Sequence, residues 1–165
     1  MSQKIYAFTD IHGCYDEFID LIDDKINPDK EDVIVLLGDY IDRGPDSKKV
    51  IDKIIIMMRS GYNIIPLSGN HENLMLNTLS GNFDDYILWM QNGGDMTLKS
   101  FEKKSTEELE SKYLDFFINL KYYYAHENYL FVHGGFKDEA KNPFEDYFYM
   151  IWNCKEEYEN PLLKD

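Results

Sequence analysis

Disulfide chemistry is nearly absent from this chain, whose 165 residues include two cysteines, Cys14 and Cys154. That excludes a disulfide framework and suits a reducing compartment, so a cytoplasmic location is expected. Cys14 follows a glycine at an expected helix start, but beyond the neighbouring His12 it has no histidine to activate it as a nucleophile. Positive charge is scarce too. Seventeen Lys and Arg stand against 31 Asp and Glu, a formal net charge of −14, and no basic stripe is available to neutralise the phosphates of a duplex nucleic acid. Long apolar runs are missing. The longest, Val33 to Leu37 and Ile54 to Met58, are far too short to span a bilayer. The Met1 to Tyr6 stretch lacks the apolar core and small-residue cleavage site of a signal peptide. Repeats, linkers and low-complexity tracts do not divide the chain, so a single domain over residues 1–165 is expected.

What is present reads as an α/β chain. Residues 4–9 form an expected strand ending at Asp10, and 14–26 an expected helix with apolar positions at Phe18, Leu21, Ile22 and Ile26. The continuous run VIVLL at 33–37 suits a strand buried on both faces of a parallel sheet. Residues 47–60 read as a helix capped by Ser47 and stopped by Gly61. A third strand follows at 63–68, with Pro66 pointing to an edge or bulge. Helical patterns recur at 72–79, 84–91 and 106–119, and Tyr122–His126 with Tyr129–Val132 make a hairpin turning at Glu127-Asn128.

Four segments at the ends of apolar runs carry the chemistry. They are Asp10-Ile11-His12-Gly13, Gly38-Asp39-Tyr40-Ile41-Asp42-Arg43-Gly44, Gly69-Asn70-His71-Glu72 and His133-Gly134-Gly135. Asp39 follows Asp10 by 29 residues and Asn70 follows Asp39 by 31, about one strand–helix unit per step. In a βαβαβ sheet, ligands sit beyond the carboxyl ends of the strands, where all four segments can converge. Carboxylate, imidazole, amide and guanidinium groups suit divalent metals and a phosphoryl anion.

The chemistry of these side chains points to two-metal phosphoester hydrolysis. Strand alternation would aim Asp10 and His12 at one metal, Asp39 would bridge two, and Asn70 and His133 would serve the second. Two such cations activate a shared water as the nucleophile, and no Ser, Cys or Asp is better placed to form a phosphoenzyme. His71 would protonate the leaving group with Asp42 orienting it, and Arg43 would grip phosphate oxygens. The remaining histidine, His126, reads as a hairpin surface residue, and the tyrosine run Tyr122–Tyr124 as core and sheet surface.

These segments resemble the phosphoprotein phosphatase family of calcineurin-like metallophosphoesterases. Its pattern is Gly-Asp-x-His-Gly, Gly-Asp-x-x-Asp-Arg-Gly, Gly-Asn-His-Glu and His-Gly/Ala-Gly, in that order. Trp89-x-x-Asn92-Gly93-Gly94 with Thr97 is similar to the bacterial and bacteriophage branch, which holds lambda-phage-type protein phosphatases and symmetrical diadenosine tetraphosphate hydrolases. The resemblance implies a metallophosphoesterase sheet core built from βαβ units with flanking helices. It also implies two divalent cations, manganese first, with Fe, Zn or Mg as alternatives. Asp10, His12 and Asp39 would hold one and Asp39, Asn70 and His133 the other, with Asn70 and Arg43 also meeting substrate.

Two departures stand out. Thr9 replaces the usual glycine, and no histidine follows Trp152 to match the family's later Gly-His segment. The second sheet is therefore expected to lack its C-terminal part, and the second metal to be one protein ligand short unless water, Glu156, Glu157 or another chain supplies it. Weakened metal occupancy, reduced activity and self-association through open sheet edges are the corresponding expectations. The leading substrate is a phosphorylated protein or peptide, with a dinucleoside tetraphosphate as the enzyme alternative. A catalytically weak phosphate- or metal-binding module is the alternative from another class.

Overall fold

A computed structural model describes residues 3–136 and 142–153. Cys154, Glu156 and Glu157 lie outside the described residues. Three parallel strands, β1 (Ile5–Phe8), β2 (Val33–Leu36) and β3 (Asn63–Pro66), form a sheet in the order β1-β2-β3. A second, antiparallel sheet is the hairpin of β4 (Tyr123–His126) and β5 (Tyr129–Val132). The helices are α1 (Tyr15–Ile19), α2 (Ser47–Arg59), α3 (Asn70–Thr78), α4 (Phe83–Gln91), α5 (Gly94–Ser100), α6 (Ser111–Ile118) and α7 (Tyr147–Trp152). Among the described residues no helix is long and apolar enough to cross a membrane.

β2 shows how the sheet is layered. All four of its residues are buried, and the two-residue period of a strand divides them between two cores. Ile34 and Leu36 join the large core formed with Val50, Ile51 and Ile54 of α2 and with Tyr113 and Phe117 of α6. Val33 and Val35 join Leu67 in a smaller cluster against Tyr124 and Phe131 of the hairpin. Helices thus cover one face of the sheet and the hairpin the other, and a strand so enclosed must be apolar throughout. Pro66, which cannot donate to a ladder, ends an edge strand as expected.

Several boundaries differ from the sequence reading. The helix expected over 14–26 runs as α1 and continues as a π-helix over Asp20–Ile26, ending at Asn27 in the left-handed region. The stretch 106–119 divides into a 3₁₀ turn, Thr106–Glu108, and α6, because Leu109 and Glu110 between them are extended. α5 was not expected, since its seven residues are too few to display a helical period. Ser47 is not a cap but the first residue of α2, and its hydroxyl instead accepts the Asp42 N–H at 3.2 Å.

Candidate metallophosphoesterase site

Strand register sets the site. Phe8, Leu36 and Pro66 are in register across the sheet, so the three strands end at one level. The loops that follow are tied to one another by backbone bonds. Asp10 N–H donates to Gly38 O at 3.2 Å, His12 N–H to Asp39 O at 2.9 Å, and Gly44 N–H to His12 O at 2.9 Å. Close approach demands glycine at two points, because a Cβ on Gly38 would overlap Gly69 N and one on Gly69 would overlap Asp39 Oδ1.

The alternation argument for Asp10 and His12 does not hold. Neither lies in β1, and both adopt the left-handed region, with φ of 56° and 43°. Their side chains meet because the backbone turns there, with His12 Nε2 3.7 Å from Asp10 Oδ1. Asp39, Asp42 and Arg43 are left-handed as well, at 56°, 71° and 65°. Conformations of this kind cost on the order of 1–3 kcal/mol each for non-glycine residues and cluster at functional sites.

Three imidazoles are oriented alike. His12 Nδ1 faces Ile41 O at 2.7 Å, and His133 Nδ1 faces Leu37 O at 2.8 Å. A carbonyl only accepts, so both Nδ1 atoms carry the proton, and each Nε2 turns toward the site. His71 Nδ1 meets the Asp42 carboxylate at 2.6 Å. All three Nε2 atoms approach Asp39 Oδ2, at 3.6 Å (His12), 3.9 Å (His71) and 3.5 Å (His133). His133 Nε2 also lies 3.1 Å from Asn70 Oδ1, which brings the amide and the hairpin histidine together. His126 is half-buried, its ring 3.1 Å from the Tyr124 hydroxyl two residues back along β4.

Burial pushes the Asp39 carboxyl up to about 6 against the pull of His71. It lowers His12 below the ordinary imidazole value. Burial also opposes charge on His71, but the Asp42 hydrogen bond and the Asp39 carboxylate outweigh it, so the net shift is upward. Arg43 extends its fork across the site, Nη1 3.0 Å from His12 Nε2 and Nη2 3.1 Å from His71 Nε2.

Four residues given no individual role by the sequence reading complete the site. Buried Glu72 accepts the N–H groups of Asp39, Tyr40 and Gly69 at 2.8, 2.8 and 3.0 Å. The Tyr40 hydroxyl lies between Leu36 O and Leu67 O at 2.9 and 2.7 Å, bolting the residue after Asp39 to the ends of β2 and β3. Trp89 Nε1–H donates to the Asp42 carboxylate at 2.9 Å, and the Thr97 hydroxyl donates to it at 2.6 Å. Trp89 and Thr97 stand in the sequence pattern already noted, but its spacing carries no sign that both reach Asp42.

The donors fit a divalent cation on their chemistry. His12, Asp39 and His71 offer ligand atoms within 4.8 Å of one another, and Asp10, Asn70 and His133 border the same carboxylate through the contacts above. Burial raises Asp39 to about 6, and Asp10 adds repulsion that a cation between the two carboxylates would relieve. The sequence pattern of calcineurin-like phosphoesterases matches residues 3–165. The chain belongs to that family. Proteins similar to it include a zinc-dependent endopolyphosphatase of Saccharomyces cerevisiae, 38% identical over 104 residues, 62% of this chain and 30% of that protein. A symmetrical bis(5'-nucleosyl)-tetraphosphatase of Wigglesworthia glossinidia brevipalpis is 48% identical over 75 residues, 43% of this chain and 25% of its own. Serine/threonine-protein phosphatase 1 of Salmonella typhimurium is 31% identical over 93 residues, 56% of this chain and 40% of that one. The match therefore spans well under half of each of these relatives.

Proposed function

We propose that this phosphoesterase hydrolyses phosphomonoesters with two divalent cations, manganese first, and that a phosphorylated protein or peptide is its substrate. The observation that carries this reading is the convergence of three Nε2 atoms on Asp39 Oδ2. Asp10, His12 and Asp39 would hold one cation and Asp39, Asn70 and His133 the other. Such cations, when bound, polarise phosphoryl oxygens and lower the pKa of water toward neutrality.

The chain's own groups supply the rest. The Arg43 fork binds two phosphate oxygens, a task its planar, paired donors suit. The Asp42 carboxylate, 2.6 Å from Nδ1, keeps that nitrogen protonated and stabilises the imidazolium, so His71 gives its Nε2 proton to the leaving oxygen. That division of labour supports His71 as acid rather than ligand. Its Nδ1 is held by a carboxylate, which favours the cation an acid needs, whereas the Nδ1 atoms of His12 and His133 face neutral carbonyls, which add no such charge.

A second reading changes only the substrate. The 48% identity with a nucleosyl tetraphosphatase supports a dinucleoside tetraphosphate. Hydrolysis rates on an aryl phosphate, a phosphothreonine peptide and diadenosine tetraphosphate, each with Mn²⁺, separate the two. The first reading predicts preference for the peptide, and preference for the tetraphosphate would replace it with the second.

A further inference from the structure

We infer that Trp89 and Thr97 are positioning residues that fix the Asp42 carboxylate, and through it the His71 imidazole, for proton donation to the leaving group. This rests on the reading of His71 as the general acid.

Asp42 is fully buried, and no lysine or arginine among the described residues pairs with it. Its oxygens are satisfied by a division of donors. Oδ1 receives the Thr97 hydroxyl at 2.6 Å and the Trp89 indole N–H at 3.0 Å. Oδ2 lies 2.9 Å from the same indole nitrogen and 2.6 Å from His71 Nδ1. Direction is determined at each contact. An indole nitrogen only donates. The Thr97 oxygen accepts the Asp42 backbone N–H at 2.8 Å, which leaves its single proton for Oδ1. The Asp42 carboxylate therefore meets donors from three sides and serves purely as an acceptor. His71 must then keep a proton on Nδ1. Its Nε2 accepts from Arg43 Nη2 at 3.1 Å here, so Nε2 takes up the transferable proton once that fork turns to a phosphate.

The clamp is built into the joint between α4 and α5. Trp89 is fully buried, and α5 starts against its ring at Gly94, where a Cβ would stand 2.6 Å from two indole carbons. Thr97 follows one turn later, its hydroxyl also 3.3 Å from Ser47 Oγ at the start of α2. A buried indole needs one acceptor, and any backbone carbonyl would serve. Here that acceptor is the carboxylate bonded to His71.

In the step concerned, the oxygen of a water molecule bonds to phosphorus and a proton of that water passes to solvent, while the bond from phosphorus to the leaving oxygen breaks and its electron pair stays on that oxygen. The leaving oxygen takes the proton from Nε2, leaving a neutral imidazole with its other proton on Nδ1. A loosened Asp42 lets the ring turn or change tautomer. The loss should therefore be greatest where the leaving oxygen is most basic.

The test is a series of phosphate monoesters, from nitrophenyl to alkyl leaving groups, turned over by the Mn²⁺-loaded protein. Trp89→Phe and Thr97→Val should lower kcat on alkyl esters about tenfold or more while nitrophenyl phosphate changes by less than about threefold, with KM unchanged, a share of the roughly 10²–10⁴-fold that an acid supplies. Thr97→Ser, which keeps the hydroxyl, should restore the alkyl rate. In metal-free protein the far-downfield proton signal of His71 Nδ1–H should move in Trp89→Phe and Thr97→Val and stay put in Thr97→Ser. Equal losses on every leaving group, with that signal unmoved, would overturn the inference. His71→Asn separates the two layers: if it shows no leaving-group dependence, the acid reading fails and this inference with it. If it does and both clamp variants do not, this inference alone fails.

Discussion

Glu72 accepts the backbone N–H of Asp39 at 2.8 Å from the third residue of α3. The same carboxylate takes the N–H groups of Tyr40 and Gly69, so one buried side chain joins the turns that end β2 and β3. Glu72→Gln keeps the shape but offers one acceptor where there were two, turning an amide donor toward backbone donors. Hydrogen bonds to charged groups are worth about 1.5–3 kcal/mol, and a loss of that order is expected in urea denaturation.

Stability of the cation-free protein should fall as pH rises from the ordinary carboxylate range toward 7. Burial lifts Glu72 to about 7 and Asp39 to about 6, so in that window the folded state binds more protons than the unfolded chain. Their contribution is fully present below the unfolded values and is lost as pH climbs through the folded ones. The upward shift of His71 has the same sign, and the downward shift of His12 opposes it. Thermal melts across this range should show the decline without metal, and saturating Mn²⁺, which takes the place of the Asp39 proton, should reduce it.

Arg43→Lys retains the charge but not the fork that reaches His12 and His71 together at 3.0 and 3.1 Å. A point ammonium cannot engage two phosphate oxygens in one plane. Steady-state kinetics should show kcat/KM reduced by roughly 10- to 100-fold, the scale of one charge-assisted hydrogen bond, with unfolding unaffected.

Gly69→Ala places a methyl against Asp39 Oδ1, which also accepts the His71 N–H at 3.2 Å. The carboxylate must shift, and with it the point on which three imidazoles converge. Calorimetry should show a divalent cation binding at least about tenfold more weakly than in the parent protein, at a cost to folding of about 1–3 kcal/mol from overpacking.

The sheet was legible because burial on two faces leaves a period-free apolar run, as in Val33–Leu36, and because Asp10, Asp39, Asn70 and His133 each follow a strand end within a few residues. The parallel pairing of β1, β2 and β3 follows from the βαβαβ alternation, and the hairpin from the Glu127-Asn128 turn between two aromatic runs. What escaped the sequence depends on backbone geometry or long-range contact. Asp10 and His12 converge through left-handed turns rather than strand alternation. Ser47 looked like a helix cap, yet its hydroxyl serves Asp42. α5 is too short to announce itself, and the reach of Thr97 to Asp42 spans 55 positions, which no local spacing encodes.

The central claim is that Asp39 organises a site for divalent cations that hydrolyses phosphoesters, and the most direct measurement is Mn²⁺-dependent hydrolysis of an aryl phosphate beside Asp39→Asn. Manganese-dependent turnover that falls by at least about a hundredfold in the variant, with both proteins folded, is the predicted result. No turnover by the folded parent chain at any Mn²⁺ concentration would contradict it and leave a module that binds phosphate or metal without catalysis.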